Sequence, residues 1–213
     1  MFKGLVVIDV DSTLIKEEVI DFLGEKVGAS SKMKEITEAA MSGRIDFRAS
    51  LKERVALLKG LPIEEIESIK KGIHLNRGAR KLINKLKSEG YQIGVISGGF
   101  HELVDSLAQD LSIELVRANH LEVENGMLTG RLIGDIIDAQ EKLATLKKWA
   151  NRHEIDLSRT IAIGDGANDL LMLKGAGLGV GFCAKEVVQK EVLHQIKHQD
   201  LYQLISIMAS QGF

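Results

Sequence analysis

The chain is poor in several things, and each absence excludes something. It has one cysteine, Cys183, in 213 residues, so no internal disulfide framework exists and a reducing compartment suits it. Cys183 is expected to be a small buried residue following a strand, not a nucleophile. No apolar run is long enough to span a bilayer, and the first residues lack the basic-then-apolar pattern of a signal peptide. The expectation is a cytoplasmic protein with no membrane partner. An excess of one charge is also missing: 28 Lys and Arg stand against 30 Asp and Glu, for a formal net charge of −2 and a pI near 6.3. That balance argues against nucleic-acid binding, and the basic run Arg80, Lys81, Lys85, Lys87 reads as a solvated helix face. Repeats and low-complexity segments are absent. What is present is ordinary globular material, 45% apolar, in a chain long enough for a sizeable core or for one domain carrying an insertion.

Four consecutive apolar residues, Leu5-Val6-Val7-Ile8, read as a strand buried on both faces of a sheet. They run straight into Asp9-Val10-Asp11-Ser12-Thr13. In open α/β sheets the edge past the strand ends is where ligands bind. Side chains two apart on extended backbone point the same way, which brings the Asp9 and Asp11 carboxylates toward one site.

Residues 16 to 75 read as helical throughout. Leu23, Val27 and Ile36, Ala39, Ala40 recur at helical spacing, with Gly24, Gly28 and Gly43 as punctuation. Phe47, Leu51, Val55 and Leu58 form an apolar stripe on one helix. The single proline, Pro62, followed by Glu64 and Glu65, marks a helix start with acids at the favourable end of its dipole. The expected organisation is therefore an α/β core made of residues 1–15 and 76–213, with residues 16–75 as a small helical insertion after the first strand.

Beyond residue 78 helices and strands alternate. Helices are expected at 79–89, 100–111, 139–153 and 167–174, and strands at 91–96, 113–116, 160–163 and 178–182. Leu121 to Leu132 reads as a hairpin turning at Asn125-Gly126. The alternation predicts a doubly wound, mostly parallel, Rossmann-like sheet with helices on both faces.

Two more strand ends carry polar groups. Ser97-Gly98-Gly99 offers a hydroxyl and backbone N–H groups at a strand-to-helix junction suited to an anion. Asp165-Gly166-Ala167-Asn168-Asp169 adds two carboxylates and an amide. Four acids at one edge repel, by roughly 4 kcal/mol for each pair about 4 Å apart at an effective dielectric near 20. A cation among them relieves this. Oxygen ligands without nearby His or Cys point to Mg²⁺ rather than zinc. His194 and His198 are spaced by four but lack a third ligand, and read as surface or structural histidines.

Asp9-Val10-Asp11-Ser12-Thr13, Ser97-Gly98-Gly99, Lys142 and Gly164 to Asp169 resemble, in order and separation, the four motifs of the haloacid dehalogenase superfamily. The helical insertion sits where one cap type of that superfamily sits. Asp-x-Asp-Ser-Thr, Val-Ile-Ser-Gly-Gly-Phe and Gly-Asp-Gly-Ala-Asn-Asp are closer still to the phosphoserine phosphatase family, over about residues 4 to 208. Val10 departs from that family, where Phe is usual; its side chain is expected to face away from the acids. No counterpart of the regulatory N-terminal module of some relatives is expected.

The resemblance implies a Mg²⁺-dependent hydrolase that converts O-phospho-L-serine to serine and phosphate, the last step of serine biosynthesis. It implies Asp9 as the nucleophile forming an aspartyl-phosphate, and Asp11 as acid and then base, with a pKa raised by acidic neighbours. Asp9, the Asp11 backbone carbonyl, Asp165 and Asp169 would surround the metal. Ser97, Gly98, Gly99, Lys142 and Asn168 would hold the phosphoryl group. Glu18, Met41, Phe47 and Arg54 would select the substrate, Glu18 taking the ammonium and Arg54 the carboxylate. The partner implied is a small phosphomonoester, bound by a monomer or homodimer. Two other readings remain at this point: a related capped phosphatase or phosphotransferase acting on another small phosphomonoester, and a non-catalytic phosphate- or nucleotide-binding module.

Overall fold

The computed structural model describes residues 2–213, the side chain of Met41 excepted, so the part expected of Met41 lies outside the described residues. Its centre is β1 (Gly4–Ile8), every residue of which is buried. Alternation along the strand divides these side chains between two apolar layers. Val6 and Ile8 pack with Leu82, Ile83 and Val104 on one face, while Leu5 and Val7 pack with Leu146, Trp149 and Met172 on the other. The expectation of a strand covered on both sides holds.

The flanking elements follow in chain order: α1 (Val19–Lys26), α2 (Ser30–Met41), α3 (Phe47–Ala56), α4 (Glu64–Ile69), α5 (Ala79–Ser88), β2 (Tyr91–Phe100), α6 (His101–Asp110), β3 (Leu115–Glu124) and β4 (Met127–Ile133). After them come α7 (Ala139–Arg152), β5 (Thr160–Gly164), α8 (Leu170–Gly175), β6 (Leu178–Phe182), α9 (Glu186–Glu191), β7 (His194–Ile196) and α10 (Leu204–Ser210). The seven strands form one sheet in the order β4-β3-β2-β1-β5-β6-β7. All neighbours run parallel except β3 and β4. The chain winds outward from β1 through β2 and β3, then crosses back to β5 on the other side. The crevice beyond β1 is thus the topological switch point, where ligands bind in such sheets.

Several boundaries differ from expectation. β2 continues past residue 96 to Phe100, with a register shift between Ile96 and Phe100. The short strand expected at 113–116 and the first arm of the hairpin are one strand, β3, parallel to β2 at its start and antiparallel to β4 at its end. The turn is where Asn-Gly predicts it, with Asn125 at φ 52° and Gly126 at φ 79°, the left-handed pair that a type I′ turn requires. The helix expected at 167–174 opens with a 3₁₀ turn at Ala167–Asp169 before α8. Cys183 is a correction: it is exposed, not buried. It takes φ 44° just past β6, and its N–H donates to Ile196 O at 2.8 Å, so the left-handed turn carries the side chain outward.

Helices α1 to α4 lie between β1 and α5 in sequence. Leu51, Val55 and Leu58 of the predicted stripe are buried. Acids fill the first turn of α4, as Pro62 and its neighbours imply. The two stretches joining these helices to the sheet run side by side. Ile15 and Leu75 form an antiparallel bridge, Lys16 N–H donates to His74 O at 2.9 Å, and Asn76 N–H donates to Leu14 O at 2.9 Å. The buried Asn76 amide adds bonds to Thr13 O (2.8 Å) and Ile15 O (2.9 Å). A second attachment joins Gly60 and Leu61 to Leu128 of β4.

Candidate active site

Asp9 leaves the sheet with its N–H donating to Ile163 O of β5 at 2.9 Å, so its carboxyl is placed between the two central strands. A tight turn over Val10–Leu14 follows, closed by Leu14 N–H to Asp9 O and Ile15 N–H to Val10 O. Ser12 sits there at φ 56°, a sparsely populated conformation of the sort concentrated at functional sites. Val10 is fully buried in the core, facing away from the acids as expected.

The turn gives the two carboxylates different partners. Asp9, Asp165 and Asp169 each offer a carboxylate oxygen within 4.8 Å of the others, all three buried. Lys142 of α7, itself fully buried, donates to Asp9 Oδ1 at 2.5 Å and to Asp169 Oδ1 at 2.7 Å. Asp169 Oδ2 accepts from the N–H groups of Asp165 (3.1 Å) and Gly166 (3.0 Å). Thr13 Oγ1 donates to Asp165 Oδ1 at 3.4 Å. The Asp11 carboxylate points elsewhere: Oδ1 accepts from Val19 N–H at the start of α1 (2.9 Å), and Oδ2 from Ser97 Oγ (2.8 Å). Ser97 Oγ in turn accepts from Gly99 N–H at 2.7 Å.

Burial sets most of the electrostatics here. It raises the Asp9 pKa well above its ordinary value, helped by Asp169, against Lys142. Burial and Asp169 raise Asp165 to about 7. For Lys142, burial would favour the neutral amine, but Asp169 and Asp9 outweigh it and the pKa is raised. Asp11 is raised too, and here the expected cause changes: burial dominates, opposed by the Val19 and Ser97 hydrogen bonds. The cluster gathers three carboxyl groups around a single lysine amine. A donor set of carboxylate oxygens fits a hard divalent cation.

A pocket lies above the cluster. Asp9, Asp11, Gly98, Gly99, Asp165 and Asn168 line its sheet side, and Glu18, Phe47 and Arg54 its helical side. Ser97, Lys142 and Asp169 are fully buried behind that wall. A side-chain carbon at Gly98 would sit 2.8 Å from the Phe47 ring, and one at Gly99 would sit 2.8 Å from Asp11 Oδ2. A side chain at either position would push Phe47 or Asp11 aside, so the glycines serve close approach and not an unusual backbone angle. Glu18 accepts from Ser12 Oγ at 2.8 Å, and burial with Asp11 raises it to about 8. Arg54 is 3% exposed. Its guanidinium donates to Thr37 Oγ1 (3.0 Å) and Ser50 O (3.3 Å).

Ser12, Thr13 and Thr37 had no separate role in the sequence, although the first two lie inside its first motif. Hydroxyls beside an acid pair were the available signal. Lys185, whose N–H donates to Asp165 O at 2.9 Å and whose charge lowers the Asp165 pKa, had none.

A sheet with this switch point and a buried Asp₃Lys cluster defines a phosphoryl-transfer type of site, and the family comparison agrees. Residues 6–174 match the family model for haloacid dehalogenase-like hydrolases, and the chain belongs to that family. Within it, the chain is 52% identical over 210 residues to phosphoserine phosphatase of Streptococcus thermophilus (99% of this chain, 98% of the relative). It is 53% identical over 206 residues to phosphoserine phosphatase of Lactococcus lactis (97% and 95%). Its fold superposes with TM-score 0.94 on a substrate-bound phosphoserine phosphatase, 39% identical, covering 97% of this chain and 99% of that one. A phospho-aspartyl intermediate analogue of phosphoserine phosphatase matches equally well, also at 0.94 and 39%. These relatives place the chain among the phosphoserine phosphatases.

Proposed function

We propose that this hydrolase converts O-phospho-L-serine to serine and inorganic phosphate through an aspartyl-phosphate on Asp9. The observation that carries the substrate assignment is the pairing of Glu18 and Arg54 in one pocket. They are a carboxyl group and a guanidinium that lean on neutral partners, Ser12 Oγ for Glu18 and Thr37 Oγ1 for Arg54. A ligand bearing both an ammonium and a carboxylate would satisfy both, above a site that takes its phosphate.

Asp9 attacks phosphorus, and the bond from phosphorus to the serine oxygen breaks as Asp11 gives that oxygen its proton. Asp11, recharged as a base, then takes a proton from water as the water attacks phosphorus, which frees phosphate and restores Asp9. The raised Asp11 pKa suits the first of these steps. Lys142 holds Asp9 in place and offsets negative charge on the phosphoryl oxygens, while Ser97, Gly98, Gly99 and Asn168 surround them. The Asn168 Oδ1 atom is buried without a partner in the free protein, which leaves it available to a donor in the bound state. Asp9, Asp165, Asp169 and the Asp11 carbonyl would hold Mg²⁺, which supplies positive charge that favours ionised Asp9 and draws electrons from the phosphoryl group.

Residues 1–15 and 76–213 would act as the catalytic core and residues 16–75 as a cap that reads the leaving group. No described helix is long and apolar enough to cross a membrane, and a cytoplasmic enzyme, monomeric or homodimeric, acting on a small metabolite fits this. The test is a substrate panel on purified protein with Mg²⁺. Phosphoserine should exceed phosphoethanolamine, which lacks the carboxylate, and a simple aryl phosphate by at least tenfold in kcat/KM. Equal rates across the panel would leave a general phosphatase and remove the serine assignment.

A further inference from the structure

Between Ile96, which pairs with Arg117, and Phe100, which pairs with Asn119, β2 advances four positions while β3 advances two. The surplus falls on Ser97-Gly98-Gly99. Carbonyls in such a bulge lose their ladder partners, and those of the half-buried Gly98 and Gly99 need others. Here they find one side chain. Asn119, 1% exposed, donates through Nδ2 to Gly98 O at 2.8 Å and Gly99 O at 3.2 Å. Its Oδ1 accepts from Ile137 N–H at 2.9 Å. Ile137 directly precedes Asp138, the residue whose side chain caps α7 and whose carbonyl accepts from Lys142 N–H at 2.9 Å.

We propose that Asn119 is a positioning residue that fixes the spacing between the Ser97–Gly99 bulge and the helix carrying Lys142. One planar amide grips both pieces, so the orientation of the Gly98 and Gly99 peptides and the start of α7 are set together. This rests on the reading of Ser97–Gly99 and Lys142 as phosphoryl-binding groups. Asparagine is disfavoured in strand interiors, and its place in β3 answers to the bulge beside it.

The test compares Asn119→Ala with Leu121→Ala, a buried core position two residues along the same strand. The comparison reads melting temperature, kcat and KM for phosphoserine, and the Kd of inorganic phosphate. Asn119→Ala should lower kcat/KM by roughly ten- to a hundredfold and weaken phosphate binding, at temperatures where it is fully folded. Leu121→Ala should melt earlier yet keep kcat/KM and phosphate affinity within about threefold, since it deletes packing alone. Asn119→Asp keeps the acceptor for Ile137 and removes the donors to the bulge. It should show the same kinetic loss, and serves if the alanine variant does not fold. Matching kinetics and phosphate affinity for Asn119→Ala and Leu121→Ala would overturn the proposal. So would failure of both Asn119 variants to fold while Leu121→Ala folds, because Asn119 would then be structural only. If the wild type neither hydrolyses phosphoserine nor binds phosphate, the reading of the site itself fails instead.

Discussion

The sheet side and the helical side of the pocket hold their charges in different ways. On the sheet side Asp9, Lys142, Asp165 and Asp169 are at most 4% exposed, and Lys142 touches two of the acids directly. On the helical side Glu18 and Phe47 are half-buried, and Glu18 and Arg54 rest on hydroxyls or a carbonyl instead of on each other. The first arrangement is organised before any ligand arrives, as electrostatic stabilisation of a transition state requires. The second leaves a carboxyl group and a guanidinium unpaired with each other, to be claimed by a ligand. Chemistry and selection are thereby separable, and substitutions should show it.

The largest effect is expected at Asp9, the proposed nucleophile. Asp9→Asn preserves shape and should lower kcat by at least about 10⁴-fold on every phosphate ester, with loss of the aspartyl-phosphate in rapid-quench experiments. Activity within tenfold of wild type would break the covalent reading and with it the division of labour.

Metal removal comes next and should act on the sheet side alone. Exhaustive chelation should abolish turnover of all esters, with Mg²⁺ restoring it. Stability offers an independent measure. Asp165 at about 7 and Glu18 at about 8 hold protons in the folded chain that the unfolded chain has released. Folded pKa values raised this way make stability fall as pH rises through the interval from about 4 to about 8. The melting temperature of the metal-free protein should therefore drop by several degrees across that range. Mg²⁺ should restore it most at the alkaline end, and a profile unaffected by Mg²⁺ would remove the metal from this cluster.

A smaller, selective effect sharpens the comparison. Arg54→Ala should cost a charge-assisted contact, on the order of 1.5–3 kcal/mol or ten- to a hundredfold in kcat/KM for phosphoserine. An ester lacking the carboxylate should lose little. Equal losses on both would mean that Arg54 only braces α2 and α3 through Thr37.

The smallest effect is expected at Val10. Val10→Phe restores the residue usual in the family but enlarges a fully buried position, which should cost about 1–3 kcal/mol of stability. Measured below the melting transition, kcat/KM should stay within about threefold, because this side chain faces the core.

What could be read in the sequence follows from how local each signal was. β1 announced itself because burial on both faces leaves an uninterrupted apolar run, and the Asn125-Gly126 turn because few residue pairs adopt its backbone angles. Lys142 was harder: nothing in its own helix distinguishes it from Lys147, and only motif spacing selected it before burial between two aspartates did. Asp9 and Asp11 line one pocket, as acids two residues apart imply, but the turn after Asp9 gives their carboxylates different hydrogen-bond partners, which the motif does not announce. The extension of β2 through two glycines was missed because glycine is poor strand material. Residues 186–210 pass through short elements whose apolar positions, such as Val188, Ile196 and Leu204, follow no sustained period.

The paired stretches around Ile15 and Leu75 have an evolutionary consequence. Because Leu14, Ile15, His74 and Asn76 are zipped together at the rim of the sheet, the core meets everything between them as one loop whose ends are already joined. Closing a longer loop costs only slightly more than closing a short one. A lineage could therefore lengthen, trim or exchange the helices beyond that seam while the register of β1 and the aim of Asp9 stayed untouched. New leaving groups would become accessible through replacement of a cassette, with the chemistry inherited unchanged.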